Sequence, residues 1–179
     1  MTPRPSPFFI AKADRHLAAE LFGADTPLFN VSDAQLAEAN QKLVTNKSNS
    51  TAQAVPFGIL DILIGDMGVF KEEALLQYTI ETHLIPPIDL RLIELNDEIT
   101  KTVAKSDCIA SWSLPFDRED GLYSVATTHY LAEVVRQFWE ERLGKGIIWY
   151  VTSLESLRDG FDRATFKKTA QPAVQPLDV

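Results

Sequence analysis

Cysteine is nearly absent: Cys108 is the only one in 179 residues. An intramolecular disulfide is thereby excluded, and so is a zinc site built on cysteines. Positive charge is also short, with 17 Lys and Arg against 25 Asp and Glu, a formal charge of −8. Nowhere do Lys and Arg cluster, which argues against nucleic acid or anionic membrane as a partner, since both are held by neutralising phosphates. The longest apolar stretch, Val55 to Ile64, is broken by Pro56, Gly58 and Asp61. It is about half of a membrane span. The opening Met1-Thr2-Pro3-Arg4-Pro5-Ser6-Pro7 has no apolar core of a secretory signal, so the expected location is cytoplasmic. GxGxxG, GxxxxGK[ST], GxSxG and HExxH are all missing, which removes the commonest nucleotide, serine-hydrolase and zinc-protease readings.

What is present suits one soluble acidic domain: 45% apolar residues over this length can build a core without disulfide or metal. Three segments are expected. Residues 1–53 form an N-terminal extension with helices and an exposed loop, 54–166 an α+β core, and 167–179 a flexible tail. In the extension, Asp14 caps a helix that runs to Gly23 and includes His16, and Ser32 caps a second with Leu36, Ala39 and Leu43. The polar run Thr45 to Gln53 reads as the loop.

Beyond residue 54, Val55–Ile64 is compatible with helix or strand. Phe70, Ala74, Leu75 and Tyr78 recur at helical spacing up to the stop at Pro86-Pro87. Alternation predicts a strand at Ile88–Leu95. Cys108–Leu114 and Leu122–Thr127 read as two more, joined by the acidic loop Phe116–Gly121 as a hairpin. A helix then starts at Thr127 or Thr128, buries Leu131, Val134, Val135 and Phe138, and ends at Leu143-Gly144. Ile147–Thr152 is a strand, and Ser153 caps a last helix with Leu154, Leu157 and Phe161. The mixture predicts an α+β fold in which the hairpin makes part of the sheet antiparallel; a largely antiparallel sheet flanked by helices is what the resemblance given below implies.

Few residues suggest chemistry. His129 and Glu133, four apart on the predicted helix, are spaced to share a proton or two sites of a metal ion; a helix-start histidine beside an exposed glutamate is the plainer alternative, because a metal needs three or four ligands. No metal and no cofactor are expected. His83 reads as a loop-edge histidine. Cys108 opens an apolar strand, where a thiol behaves as a small hydrophobe unless a histidine activates it. Asp117, Glu119 and Asp120 fail the calcium-loop spacing. Trp112, Tyr123, Trp149 and Tyr150, all on predicted strands, either line an aromatic-binding cavity or form ordinary core.

Residues 58–162 resemble chorismate pyruvate-lyase and its relatives. The resemblance rests on Leu60-Asp61-Ile62-Leu63-Ile64-Gly65-Asp66-Met67, the hairpin Ser111-Trp112-Ser113-Leu114 … Asp120-Gly121 … Tyr123-Ser124-Val125-Ala126, then Leu143-Gly144-Lys145, Tyr150-Val151-Thr152-Ser153-Leu154 and Leu157-Arg158-Asp159. It implies an antiparallel sheet flanked by helices and a cavity behind the hairpin. The family grips its dicarboxylate substrate with an arginine on each hairpin strand and uses a glutamate on a final strand. Here those hairpin positions hold Ala110 or Ser111 and Thr127 or Thr128, and no final strand follows. The implied function is therefore binding of a small aromatic or carboxylated ligand without lyase turnover, by Arg91, Trp112, Tyr123, Thr127, His129 and Trp149, with the catalytic residues unknown. The alternative is a non-enzymatic acidic interaction protein (chaperone, adaptor or inhibitor) that binds a basic partner.

Overall fold

The computed structural model describes residues 31–49 and 58–168. The predicted helix from Asp14 to Gly23, with His16, lies outside them, as do the N-terminal tail and residues 169–179.

Helix α1 (Asp33–Asn49) begins where Ser32 predicts. Ser32 Oγ accepts the Gln35 N–H at 3.2 Å, and Gln35 Oε1 accepts the Ser32 N–H at 2.9 Å, a reciprocal cap. Ala39 and Leu43 are buried. The helix continues through residues 45–49, where the sequence predicts loop; once nucleated, a helix gains one bond for each further residue fixed, so polar residues extend it. The remainder of that loop, residues 50–53, is outside the described residues.

The ambiguous stretch resolves as helix over its described part. Ile59 and Leu60 lead into a π-helical turn, Asp61–Asp66, which returns the Met67 N–H to Ile62 O at 2.8 Å. Ile59, Leu60, Ile62 and Leu63 are all buried, a pattern that local periodicity could not separate from a core strand. Helix α2 (Glu72–His83) buries Leu75 and Thr79 and closes on Leu84, whose φ of 55° is left-handed.

Two predicted strands are not strands. At Ile88–Leu95 only Pro87 bridges the sheet, beside Val151; then the Asp89 carboxylate accepts the Arg91 N–H at 3.1 Å and folds Leu90–Leu92 into a 3₁₀ turn. That local bond competes with sheet pairing, and it leaves Leu92 82% exposed. After a short helix α3 (Asp97–Thr100), capped by Asn96, the chain forms helix α4 (Lys105–Ser111), so most of Cys108–Leu114 is helical. Only Ser113 and Leu114 belong to a strand. Cys108, Ala110 and Ser111 are small enough to pack on a helix as well as on a strand, and a short apolar run carries no period to decide.

The hairpin is as expected. Strands β1 (Ser113–Glu119) and β2 (Leu122–Thr127) pair antiparallel around Asp120-Gly121, with φ of 50° and 84°, the two positive values that a tight hairpin turn needs. The expected acidic loop is shorter than predicted, because β1 runs to Glu119. Helix α5 (Glu133–Leu143) starts six residues later than Thr127, which still belongs to β2, and it ends at Gly144 as predicted. Strand β3 (Ile147–Val151) follows, then helix α6 (Leu154–Arg163), whose cap Ser153 accepts the Ser156 N–H at 3.1 Å.

The architecture is α+β, but the sheet is mixed rather than largely antiparallel. Its order is β1-β2-β3, and β3 lies parallel to β2 in register Tyr123↔Ile147 to Thr127↔Val151. A helix between two neighbouring strands carries the chain back to the starting end of the sheet, so α5 dictates parallel pairing. Trp112, Leu114, Trp139, Leu157 and Phe161 fill the core between sheet and helices. Among the described residues no helix is long and apolar enough to cross a membrane.

Two backbone positions give opposite expectations. A Cβ on Gly58 would stand 2.7 Å from Trp112 Nε1, so Gly58→Ala should lower the unfolding free energy by about 1–3 kcal/mol through overpacking. Leu84 holds a left-handed conformation without burial, so Leu84→Gly should raise it by about 1 kcal/mol. Urea unfolding checks both, and a reversed sign at either position contradicts this account.

Candidate functional site

The chain places its six expected ligand residues in four separate environments. Trp112, Thr127 and His129 come together. Thr127 Oγ1 donates to Trp112 O at 3.1 Å and accepts the His129 N–H at 3.0 Å. The imidazole lies parallel to the Trp112 ring, with centroids 6.1 Å apart, and its Nδ1 meets Thr128 Oγ1 at 2.8 Å. Arg158, bonded to Asp61 of the π-helical turn, stands 5.8 Å from the same indole. This is closed core: His129 and Thr127 are 0% exposed and Trp112 1%. His129 precedes α5 rather than lying on it, so its predicted helical pairing with the exposed Glu133 is not made. Glu133 accepts from Gln137 instead, at 2.9 Å.

Arg91 is not strand-borne; it sits on the 3₁₀ turn, bidentate on Asp89 and 3.2 Å from Glu155. The guanidinium holds the Asp89 carboxyl well below its ordinary value. Trp149 lies half-buried on β3 with Tyr130 against it, centroids 6.1 Å apart. Tyr150 points to the other face and meets Phe116.

Tyr123 lines an open cavity at the far end of β2. That space, about 270 Å³, is lined by Thr102, Val103, Ala104, Asp107, Tyr123, Arg142, Leu143 and Lys167. Sequence reasoning passed over its three charged residues, Asp107, Arg142 and Lys167. Asp107 is 3% exposed, and its Oδ2 lies 3.4 Å from Arg142 Nε, too loose for a good charge-assisted bond. Asp107 Oδ1 and Arg142 Nε have no hydrogen-bond partner among the described residues. Burial pushes the Asp107 carboxyl above its ordinary value, and the Arg142 charge offsets this only in part. The available signal was a carboxylate directly before the small apolar run Cys108-Ile109-Ala110, but nothing local pointed to Arg142.

Cys108 is fully buried beside Asp107, and burial pushes its thiol well up, so it is a packing residue and not a nucleophile at neutral pH. Among the described residues no three His, Cys, Asp or Glu converge as a metal site.

The raised Asp107 has a testable sign. A carboxyl whose folded value lies above its ordinary 3.8 binds its proton more tightly when folded. Its stabilising contribution is complete below 3.8 and is lost as pH rises through the folded value. Asp107→Asn should therefore match the parent near pH 3 and exceed it in stability at pH 7, measured by urea unfolding across that range. A variant weaker than the parent at pH 7 would show the ion pair to be net favourable.

No protein-family profile matches this sequence, and no curated protein does. Solved structures do match in fold. MshE, in a structure with cdg, aligns with a TM-score of 0.52 at 21% identity, over 86% of this chain and 98% of that one. The N-terminal domain of XpsE aligns at 0.51 and 14% identity, over 85% and 95%. In a second crystal form, I4122, it aligns at 0.50 and 16%, over 75% and 87%. These neighbours overturn the expected resemblance to chorismate lyase, and with it the expected aromatic-acid site. The physical reasons agree: one strand pair is parallel, two predicted strands are helical, and the Trp112–Thr127–His129 cluster is buried in the core. The chain shares the fold of MshE and of the N-terminal domain of XpsE.

Proposed function

We infer that this chain is a protein-docking domain of the kind carried by secretion-system ATPases. The fold carries this reading, because the match spans nearly all of each neighbour's chain rather than one motif. The chemistry supports a docking role over catalysis, since Cys108 and His129 are both fully buried and present no reacting group to solvent. With a formal charge of −8, the domain acts in the cytoplasm on a partner that offers a basic face.

Site-specific photo-crosslinking in cells tests this. Crosslinks to a component of a secretion apparatus are expected, with association slowing as salt rises. Crosslinks confined to unrelated soluble enzymes, or association indifferent to salt, would overturn it.

A further inference from the structure

Among the described residues three other than glycine adopt a left-handed backbone: Leu84, Trp112 and Asp120. Two of these have a local reason. Asp120 occupies a hairpin turn that demands the conformation and tolerates it. Trp112 is 1% exposed, and the burial of its indole compensates the strain. Leu84 has neither compensation. It terminates α2, where glycine or asparagine is the preferred residue, and its side chain is 83% exposed. Strain and apolar exposure at one residue are explained when the side chain is an anchor for something outside the fold.

The neighbourhood fits that role. His83, exposed, meets the Tyr130 ring edge-on with centroids 5.7 Å apart, and Tyr130 meets Trp149 at 6.1 Å. Arg136 lies over Tyr130 at 4.8 Å and donates from Nη1 to Tyr130 O at 2.9 Å. The patch thus combines Trp, Tyr and Arg, the residue types that dominate association energy. Among the described residues Arg136 has no carboxylate partner, and Glu133, one turn earlier on α5, is exposed and accepts from Gln137.

We propose that this patch is the interface of a homodimer, with Leu84 of each copy seated on the His83–Tyr130–Trp149 rings of the other and Arg136 of each paired with Glu133 of the other. Anchor, receiving surface, unpaired cation and available carboxylate all lie on one patch. A twofold contact uses each of them twice and satisfies the charges reciprocally. A different partner would have to bring its own complement to every one of them. This inference does not rest on the docking reading above.

Sedimentation velocity of the full chain from micromolar to submillimolar concentration tests it. The wild type should show a concentration-dependent dimer. Leu84→Asn suits the left-handed backbone, so it should keep or raise the unfolding midpoint while weakening dimerisation at least about tenfold. Arg136→Glu should weaken the dimer, and Glu133→Arg added to it should restore it. A wild type monomeric at every concentration would overturn the proposal. So would a Leu84→Asn protein that dimerises as well as the parent, or a charge swap that fails to restore the Arg136→Glu loss.

Discussion

The fold turns on Trp112. At this residue helix α4 stops and strand β1 begins, and the left-handed backbone makes the reversal possible in a single step. Every neighbouring element touches it. The π-helical segment approaches so closely that only a glycine fits at position 58. The imidazole of His129 covers one side of the ring, and Arg158 of α6, fixed by Asp61, stands at 5.8 Å. The carbonyl of Trp112 is held twice, by Thr127 Oγ1 at 3.1 Å and by the Thr128 N–H at 3.1 Å. A buried carbonyl with both lone pairs engaged leaves little freedom for the β2 end, and that end sets where α5 begins.

From this junction the parallel pairing follows. Because Thr127 is held at the end of β2, the chain turns through Thr128–Ala132, runs down α5 and returns beside β2 as β3. Val151 then offers its outer edge to Pro86 and Ile88, with Val151 N–H bonded to Pro86 O at 3.0 Å and Ile88 N–H to Val151 O at 2.9 Å. This tie fixes the segment after α2, and with it the position of Leu84. The Leu154 N–H donates to Glu72 Oε1 at 2.6 Å and links the start of α6 to the start of α2 in the same way. Burial raises that carboxyl despite the bond, so it is held by geometry at some electrostatic cost.

Turn and cap chemistry made part of this legible in the sequence. Asp120-Gly121 specified the hairpin, Ser32 and Ser153 marked two helix starts, and Gly144 marked an end, because each acts through its own backbone neighbours. Short apolar runs were not legible. Cys108–Leu114 lacks the length to show a period, and Trp112 packing decided its fate; the alternation of Ile88–Leu95 was overridden by the Asp89 cap inside the segment, with Val151 holding only its start. The direction of β3 was legible only through the helix before it, and only once β2 and β3 are known to be neighbours. The grouping of Trp112, Thr127 and His129 was visible from residue type, but its closure was not, since that depends on Gly58 and Arg158 from opposite ends of the chain. Asp107 and Arg142 meet across 35 positions, and Leu84 drew no notice because nothing in a sequence reports a side chain left outside.

Native-state hydrogen exchange tests the central role of this junction most directly. The Thr128 N–H, which donates to Trp112 O, and the His129 N–H, which donates to Thr127 Oγ1, should exchange only through global unfolding. Their exchange free energies should then equal the unfolding free energy from urea and fall with denaturant at the global slope. Exchange of these two amides through a smaller, denaturant-independent opening, while the β1–β2 ladder stays protected, would contradict it.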